Sequence, residues 1–217
     1  MDAATRARLI ELLGAQAVDE ARGATIPMSA DMVATICRHC AESRTRLAVT
    51  SSPGGRAPEG ALLLSLERLT AIRMDVGAAV VRAEAGANVS ELVTVASASG
   101  MRPVGVGWSR PVATHVGSLV ARAGVSRRAL SGIEGVLPTG ETVRAGGGVL
   151  KDVTGYDLAG LLLGSQGRLA VITAVHLRLI PTAEPAEPEP ATTAPADGSV
   201  LAELVRGAFD PASLLTS

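Results

Sequence analysis

The chain has 217 residues, 47% of them hydrophobic, and a formal net charge of −1. That size and apolar content suffice for the core of one domain or two small ones, while the near-neutral charge offers no basic patch for nucleic acid or a membrane surface. One Trp, one Tyr and one Phe leave almost no aromatic surface for stacking bases or sugars, so partners are expected among small molecules and proteins.

No segment approaches the roughly 18 consecutive apolar residues of a membrane span. The N-terminus, MDAATRARLIELLGAQ, reads as an amphipathic helix with Leu9, Leu12 and Leu13 on one side, without the apolar run and small-residue cleavage site of a signal peptide. The expected compartment is the cytoplasm. A second helix is predicted over 29–43, with Ser29 as its N-cap, because a serine oxygen there can accept a first-turn amide. Val33, Ile36, Cys37 and Cys40 share its apolar stripe. A single Cys-x-x-Cys with no second pair and no well-spaced His does not make a zinc site, so both thiols are expected in the core and no metal is expected. His39 is expected to face solvent.

A strand over 46–50, a Gly/Pro/Ser loop over 51–60 and a strand over 61–65 then form a small βαβ unit with the preceding helix. A strand over 78–85 leads through Gly86-Ala87-Asn88 into a helix over 89–99 that Gly100 ends. From Met101 onward the pattern changes to strands and short turns: 133–137, the hairpin signal Pro138-Thr139-Gly140, 142–144, and a long strand over 169–180. Period-two alternation puts His176 and Arg178 on one face of that strand, and His176 is expected at the sheet surface. Four prolines at 185, 188, 190 and 195 make an extended linker of the next stretch. Leu201, Leu204, Val205 and Ala208 then recur at helical spacing before Phe209-Asp210-Pro211. The expected organisation is a first unit over 1–102, a second, mainly antiparallel unit over 103–181, a linker over 182–198, and a helix and tail over 199–217.

The most distinctive stretch is VRAGGGVLKDVTGYDLAGLLLGSQGRLAVITAVHLRLIP, from Val143 to Pro181. It resembles the core signature of FAD-linked oxidases of the glycolate oxidase and D-lactate dehydrogenase type, and the wording is nearest to the FAD-binding subunit of glycolate oxidase. Val81, Ala85, Gly86 and Leu92 match a further phrase of that family, and Phe209-Asp210-Pro211 its last element. The resemblance implies an α+β, PCMH-type (vanillyl-alcohol-oxidase-like) FAD-binding fold of two subdomains, with FAD as cofactor. The family's substrate or cap domain has no counterpart, because a proline-rich tether stands where it would be. A GxGxxG fingerprint is absent, so the dinucleotide site of a Rossmann fold is not expected.

The resemblance also implies where the cofactor is held, since glycine-rich turns let main-chain N–H groups approach a pyrophosphate. In the first turn these are Gly54 and Gly55, although Pro53 lacks an N–H. In the second they are His115, Val116, Gly117, Ser118 and Ala121, with Ser118 standing where relatives have glycine. Lys151, Gly155 and Tyr156 follow, then Gly164, Ser165, Gly167, Val171 and Ile172 from the Gly-Ser-x-Gly-x-Leu-x-Val-Ile-Thr turn. No catalytic residue is assigned; Arg122, Arg127, Arg128 and Lys151 are the cations at hand for a carboxylate. Two functions are open. One is the FAD-binding subunit or domain of a 2-hydroxy-acid oxidoreductase that moves a hydride to the flavin. The other is a non-catalytic member that assembles with a catalytic flavoprotein and an iron–sulfur subunit.

Overall fold

The computed structural model describes residues 3–105, 113–147, 157–183 and 200–216. In chain order the elements are α1 (Ala3–Leu13), β1 (Val18–Asp19), β2 (Ala24–Thr25), α2 (Ala30–Ser43), β3 (Arg46–Thr50), β4 (Ala61–Ser65), β5 (Ile72–Asp75), β6 (Val80–Glu84), α3 (Val89–Ala98), β7 (Met101–Pro103), α4 (Val116–Ala121), β8 (Leu130–Val136), β9 (Thr142–Gly146), α5 (Leu158–Leu162), β10 (Val171–Pro181), α6 (Val200–Phe209) and β11 (Leu215–Thr216).

Two sheets organise these elements. The first runs β1-β2-β4-β3-β11, and β2, β4, β3 and β11 are mutually parallel. Its central strand β4 has Leu62, Leu63 and Leu64 all buried, the continuous apolar run of a strand covered on both faces. The crossover helix α2 begins where Ser29 Oγ accepts the Met32 N–H at 3.2 Å. It ends at Arg44, whose φ of 54° stops the helical path. Its buried stripe is Val33, Ile36, Cys37 and Cys40, and it packs in one core with Leu9 and Leu13 of α1 and Leu47, Leu62 and Leu64 of the sheet. Leu12, expected beside Leu9, is turned outward. His39 is partly buried rather than solvated, and its Nε2 is out of solvent contact.

The second sheet runs β5-β6-β10-β8-β9, with β7 pairing the far end of β10. All its pairings are antiparallel. It draws β5 and β6 from the chain before residue 102, so the sheets interleave along the sequence and do not follow a single division there. Helices α3, α4 and α5 cover one face, where Val81, Leu92, Leu119, Ile133, Leu162, Val175 and Leu177 form the larger core. Val136 and Val171, where β8 ends and β10 begins, belong to the core of the first sheet, and this apolar seam ties the halves together.

His176 is not a surface residue. It is 5% exposed, because β10 lies between β6 and β8, which place Arg82 and Glu134 beside it. Alternation along one strand gives the face correctly but cannot show that neighbouring strands roof it with their own charged side chains.

The tail closes the first sheet. After α6 the Asp210 carboxylate, 1% exposed, accepts the N–H groups of Leu214 and Leu215, both at 2.9 Å. This bends the chain so that Leu215 and Thr216 add a parallel strand beside Leu47 and Ala48.

Candidate functional site

A cleft of about 500 Å3 opens where the two halves meet. It lies off the carboxyl end of parallel strand β3, the position at which open α/β sheets receive ligands. Val49, Thr50, Ser51 and Ser52 form one wall, and Thr216 of β11 extends it. The opposite wall comes from α4 and its exit, through Gly117, Ser118, Ala121 and Arg122, and from the turn after α5, through Gly164, Gln166 and Gly167. Ala170 and Ile172 at the start of β10 complete the lining with Leu66.

The two glycine-bearing segments are joined by main-chain hydrogen bonds. Gly164 N–H donates to Val120 O at 3.0 Å, and Gln166 N–H donates to Ala121 O at 2.9 Å. Gln166 and Gly167 both have positive φ, 55° and 74°, so the turn reverses tightly against the end of α4. A Cβ at Gly167 would enter open space. Gly117 is glycine for packing: a Cβ there would lie 2.7 Å from Ala85 Cβ, where α4 presses on β6.

Six of the residues expected to hold a cofactor, Gly117, Ser118, Ala121, Gly164, Gly167 and Ile172, therefore line one cleft. Others stand elsewhere. The chain leaves β3 past the cleft mouth as Ser51 and Ser52, and the turn at Gly54, with φ 84°, carries it away. Gly55 then packs back on Thr50, where a Cβ would meet Cγ2 at 2.6 Å. Val116 and Val171 are core residues, and the Ser165 hydroxyl is buried with no partner among the described residues. His115 is the N-cap of α4, with no side-chain cap bond. It bridges to Asn88, and its Nδ1 lies 2.9 Å from Thr114 Oγ1. Burial lowers its pKa, against an opposing attraction to Glu67. Lys151, Gly155 and Tyr156 lie outside the described residues. Asp157, next in that motif, accepts the Gly160 N–H at 2.9 Å to cap α5 and pairs with Arg127 at 2.6 Å. That Arg127 bond holds the Asp157 carboxyl below its usual range.

Of the four cations singled out from the sequence, Arg122 lines the cleft, whereas Ser51, Ser52, Gln166 and Thr216 were missed as lining residues. The signal for Ser51 and Ser52 was present, since they directly follow a parallel strand. Thr216 carried none, because its place depends on a pairing with a strand some 170 positions away, seen in Thr216 Oγ1 donating to Leu47 O at 3.0 Å (|i−j| = 169).

The cleft is of ligand size, since small-molecule sites occupy roughly 300–1,000 Å3. Its lining has the makings of a site for a long, partly anionic ligand such as a flavin dinucleotide: glycine edges without side chains, a row of hydroxyls at Thr50, Ser51, Ser52 and Ser118, and one cation at Arg122. The residues present thus fit FAD in shape and chemistry.

Comparison with known proteins bears on the same question. A family model described as "FAD binding domain" matches residues 21–146. The chain is 32% identical over 170 residues to an uncharacterized FAD-linked oxidoreductase of Mycobacterium tuberculosis, covering 71% of this chain and 37% of that protein. It is 28% identical over 172 residues to the glycolate oxidase subunit GlcD of Bacillus subtilis, covering 73% and 37%. With a D-lactate dehydrogenase of Archaeoglobus fulgidus it shares 34% over 140 residues, covering 61% and 32%. The chain thus spans well under half the length of each of these relatives. Among solved structures, 4-ethylphenol oxidase from Gulosibacter chungangensis superimposes with a TM-score of 0.66 at 22% identity, covering 83% of this chain and 43% of that one. For 6-hydroxy-D-nicotine oxidase from Arthrobacter nicotinovorans the TM-score is 0.56 at 23% identity, covering 72% and 36%. These likenesses show a vanillyl-alcohol-oxidase-like, PCMH-type fold. With more than half of its length matched, this chain belongs to the FAD binding domain family, whose ligand is FAD.

Proposed function

We propose that the chain is the FAD-binding part of an oxidoreductase acting on a 2-hydroxy acid of the glycolate or lactate kind, and that it works with partner protein subunits in the cytoplasm. The observation that carries the reading is the junction of the 164–167 turn with α4, facing Ser51 and Ser52 across a ligand-sized cleft. The names of the relatives, a glycolate oxidase subunit and D-lactate dehydrogenases, supply the substrate class.

Bound FAD supplies the hydride-accepting chemistry, and the protein supplies placement and electrostatics. In this reading Gly164 and Gly167 let the ligand lie close to the main chain, Gly117 seats α4 against Ala85 at the cleft wall, Ser51, Ser52 and Ser118 offer hydroxyls, and Arg122 balances negative charge. Ala170 and Ile172 give an apolar floor. Lys151, Gly155 and Tyr156 contribute from the segment preceding Asp157. Catalytic groups for the hydroxy acid come from elsewhere in the assembly, whose other members are a catalytic flavoprotein and an iron–sulfur subunit.

The test is flavin content. Purified chain titrated with FAD is expected to quench flavin fluorescence at one equivalent and to show a protein-bound flavin absorption band. Addition of glycolate or D-lactate in the presence of the partner subunits then bleaches that band. A chain that stays colourless and leaves FAD fluorescence unchanged overturns the reading; if it nonetheless co-purifies with a larger oxidase subunit, the assembly role replaces it.

A further inference from the structure

The main-chain N–H groups that α4 brings to the cleft are already engaged within the protein. At the start of α4, Val116 N–H donates to Ala87 O at 3.0 Å and Gly117 N–H to Ala85 O at 2.8 Å. Leu119 N–H donates to His115 O at 2.9 Å. Ser118 N–H, the next in line, donates to Ser51 Oγ at 2.9 Å. In the second turn Gly164 and Gln166 donate to Val120 and Ala121. None of these amides is open to an anion without breaking an internal bond.

Hydroxyls stand in their place. Ser51 Oγ and Ser118 Oγ are hydrogen-bonded to each other across the junction of β3 and α4, and both residues line the cleft. Ser51 is 4% exposed. A serine oxygen has one donor and two acceptor positions. Ser51 Oγ takes the Ser118 N–H on one acceptor position, and when Ser118 O–H donates to the other, both are filled. Its own proton is then the one unassigned donor of the pair, on a residue that lines the cleft. Donors linked in series polarise one another and strengthen the terminal bond. Arg122, exposed on the same wall, adds positive charge.

We infer that the Ser51–Ser118 hydroxyl pair, and not the main-chain amides of α4, selects a diphosphate-bearing ligand for this cleft, with Ser51 O–H as the terminal donor to a phosphate oxygen. This rests on the FAD reading above and deepens it, since the ligand is chosen by its diphosphate and not by its isoalloxazine ring. ADP shares that group; riboflavin lacks it.

The experiment is calorimetric titration of the chain and its S51A, S118A, S118G and S51A/S118A variants with FAD, ADP and riboflavin, with circular dichroism confirming that each variant is folded. The wild type is expected to bind FAD and ADP. S51A weakens both by about tenfold or more, the scale of one hydrogen bond to a charged group, and leaves riboflavin unchanged. S118A and S118G weaken FAD and ADP as well, and the double variant is hardly worse than S51A, because the two hydroxyls act in series. If S51A does not fold, the Ser118 variants carry the test. Wild-type binding with all folded variants within twofold overturns this inference alone. Absence of FAD binding by the wild type overturns it together with the function proposed above.

Discussion

The Glu134 carboxylate stands between two basic side chains, with Oε1 2.8 Å from His176 Nε2 and Oε2 2.7 Å from Arg82 Nη2. Arg82 is the larger influence, and the two together push the Glu134 pKa down to about 2. A native-state pKa below the unfolded value means that stabilisation is complete above pH 4.5 and is lost as pH falls from there towards 2. Solvent still reaches the carboxylate and screens these pairs, so their worth at neutral pH is about 1–3 kcal/mol. E134Q is therefore expected to be less stable than the wild type at pH 7 by about 1–3 kcal/mol, with the gap narrowing below pH 4.5. Urea midpoints of both proteins between pH 3 and pH 7 check this; a gap that stays constant across the range refutes it.

What the amino-acid order disclosed follows from the range of each signal. The α2 helix was legible because Ser29, the apolar stripe and the halt after Ser43 are local. The meeting of Gly164 with Val120 was legible only through family resemblance, since their bond joins residues on separate elements. Ser51 and Ser52, which line the cleft, stand between the end of β3 and the more conspicuous Gly54 and Gly55, so the glycines drew the reading past them. The membership of β6 in the second sheet, and of Thr216 in the first, depends on pairings with β10 and β3 that no local pattern announces.

Gly86 is held by space and not by backbone angle. A Cβ there would lie 2.2 Å from Leu66 O and 3.0 Å from Leu69 O, and its N–H donates to Leu69 O at 2.8 Å. G86A must displace the 66–69 segment or β6, at about 2 kcal/mol or more by the scale of overpacked cores. Gly207 is the contrast, since a Cβ within α6 meets nothing within 4 Å. G207A is expected to be stabilising by up to about 1 kcal/mol, from helix propensity. Thermal melting of the two variants should shift in opposite directions.

Asp210 organises the tail through two N–H donors, Leu214 and Leu215. D210N places an amide where two acceptor positions are needed, so one donor is left unpaired in a buried site, at about 1–3 kcal/mol. The effect is expected to be local, because β11 adds only Leu215 and Thr216 to the sheet. Hydrogen exchange should quicken over residues 200–216 and at the Leu47 amide, which donates to Leu214 O at 2.7 Å. The amide protons of β8 and β10 should be unaffected. Uniform acceleration across both sheets would show that the tail is part of the global unfolding unit.

Cys37 and Cys40 lie on the buried stripe of α2, both without solvent exposure, and burial pushes each thiol up to about 12. The thiolate is the reactive form, so at pH 8 neither access nor ionisation favours modification of the native protein. Labelling with a disulfide reagent is expected to be slow in buffer and complete in denaturant, with a native-state rate set by opening of α2. Replacement of Ser29 by Ala removes the cap on Met32 N–H and should destabilise the helix by about 1 kcal/mol. If opening of α2 limits the reaction, S29A labels about fivefold faster than the wild type, since 1.4 kcal/mol is a factor of ten. Rapid labelling of the untreated wild type would mean that the stripe is accessible and that the two cysteines are not core residues.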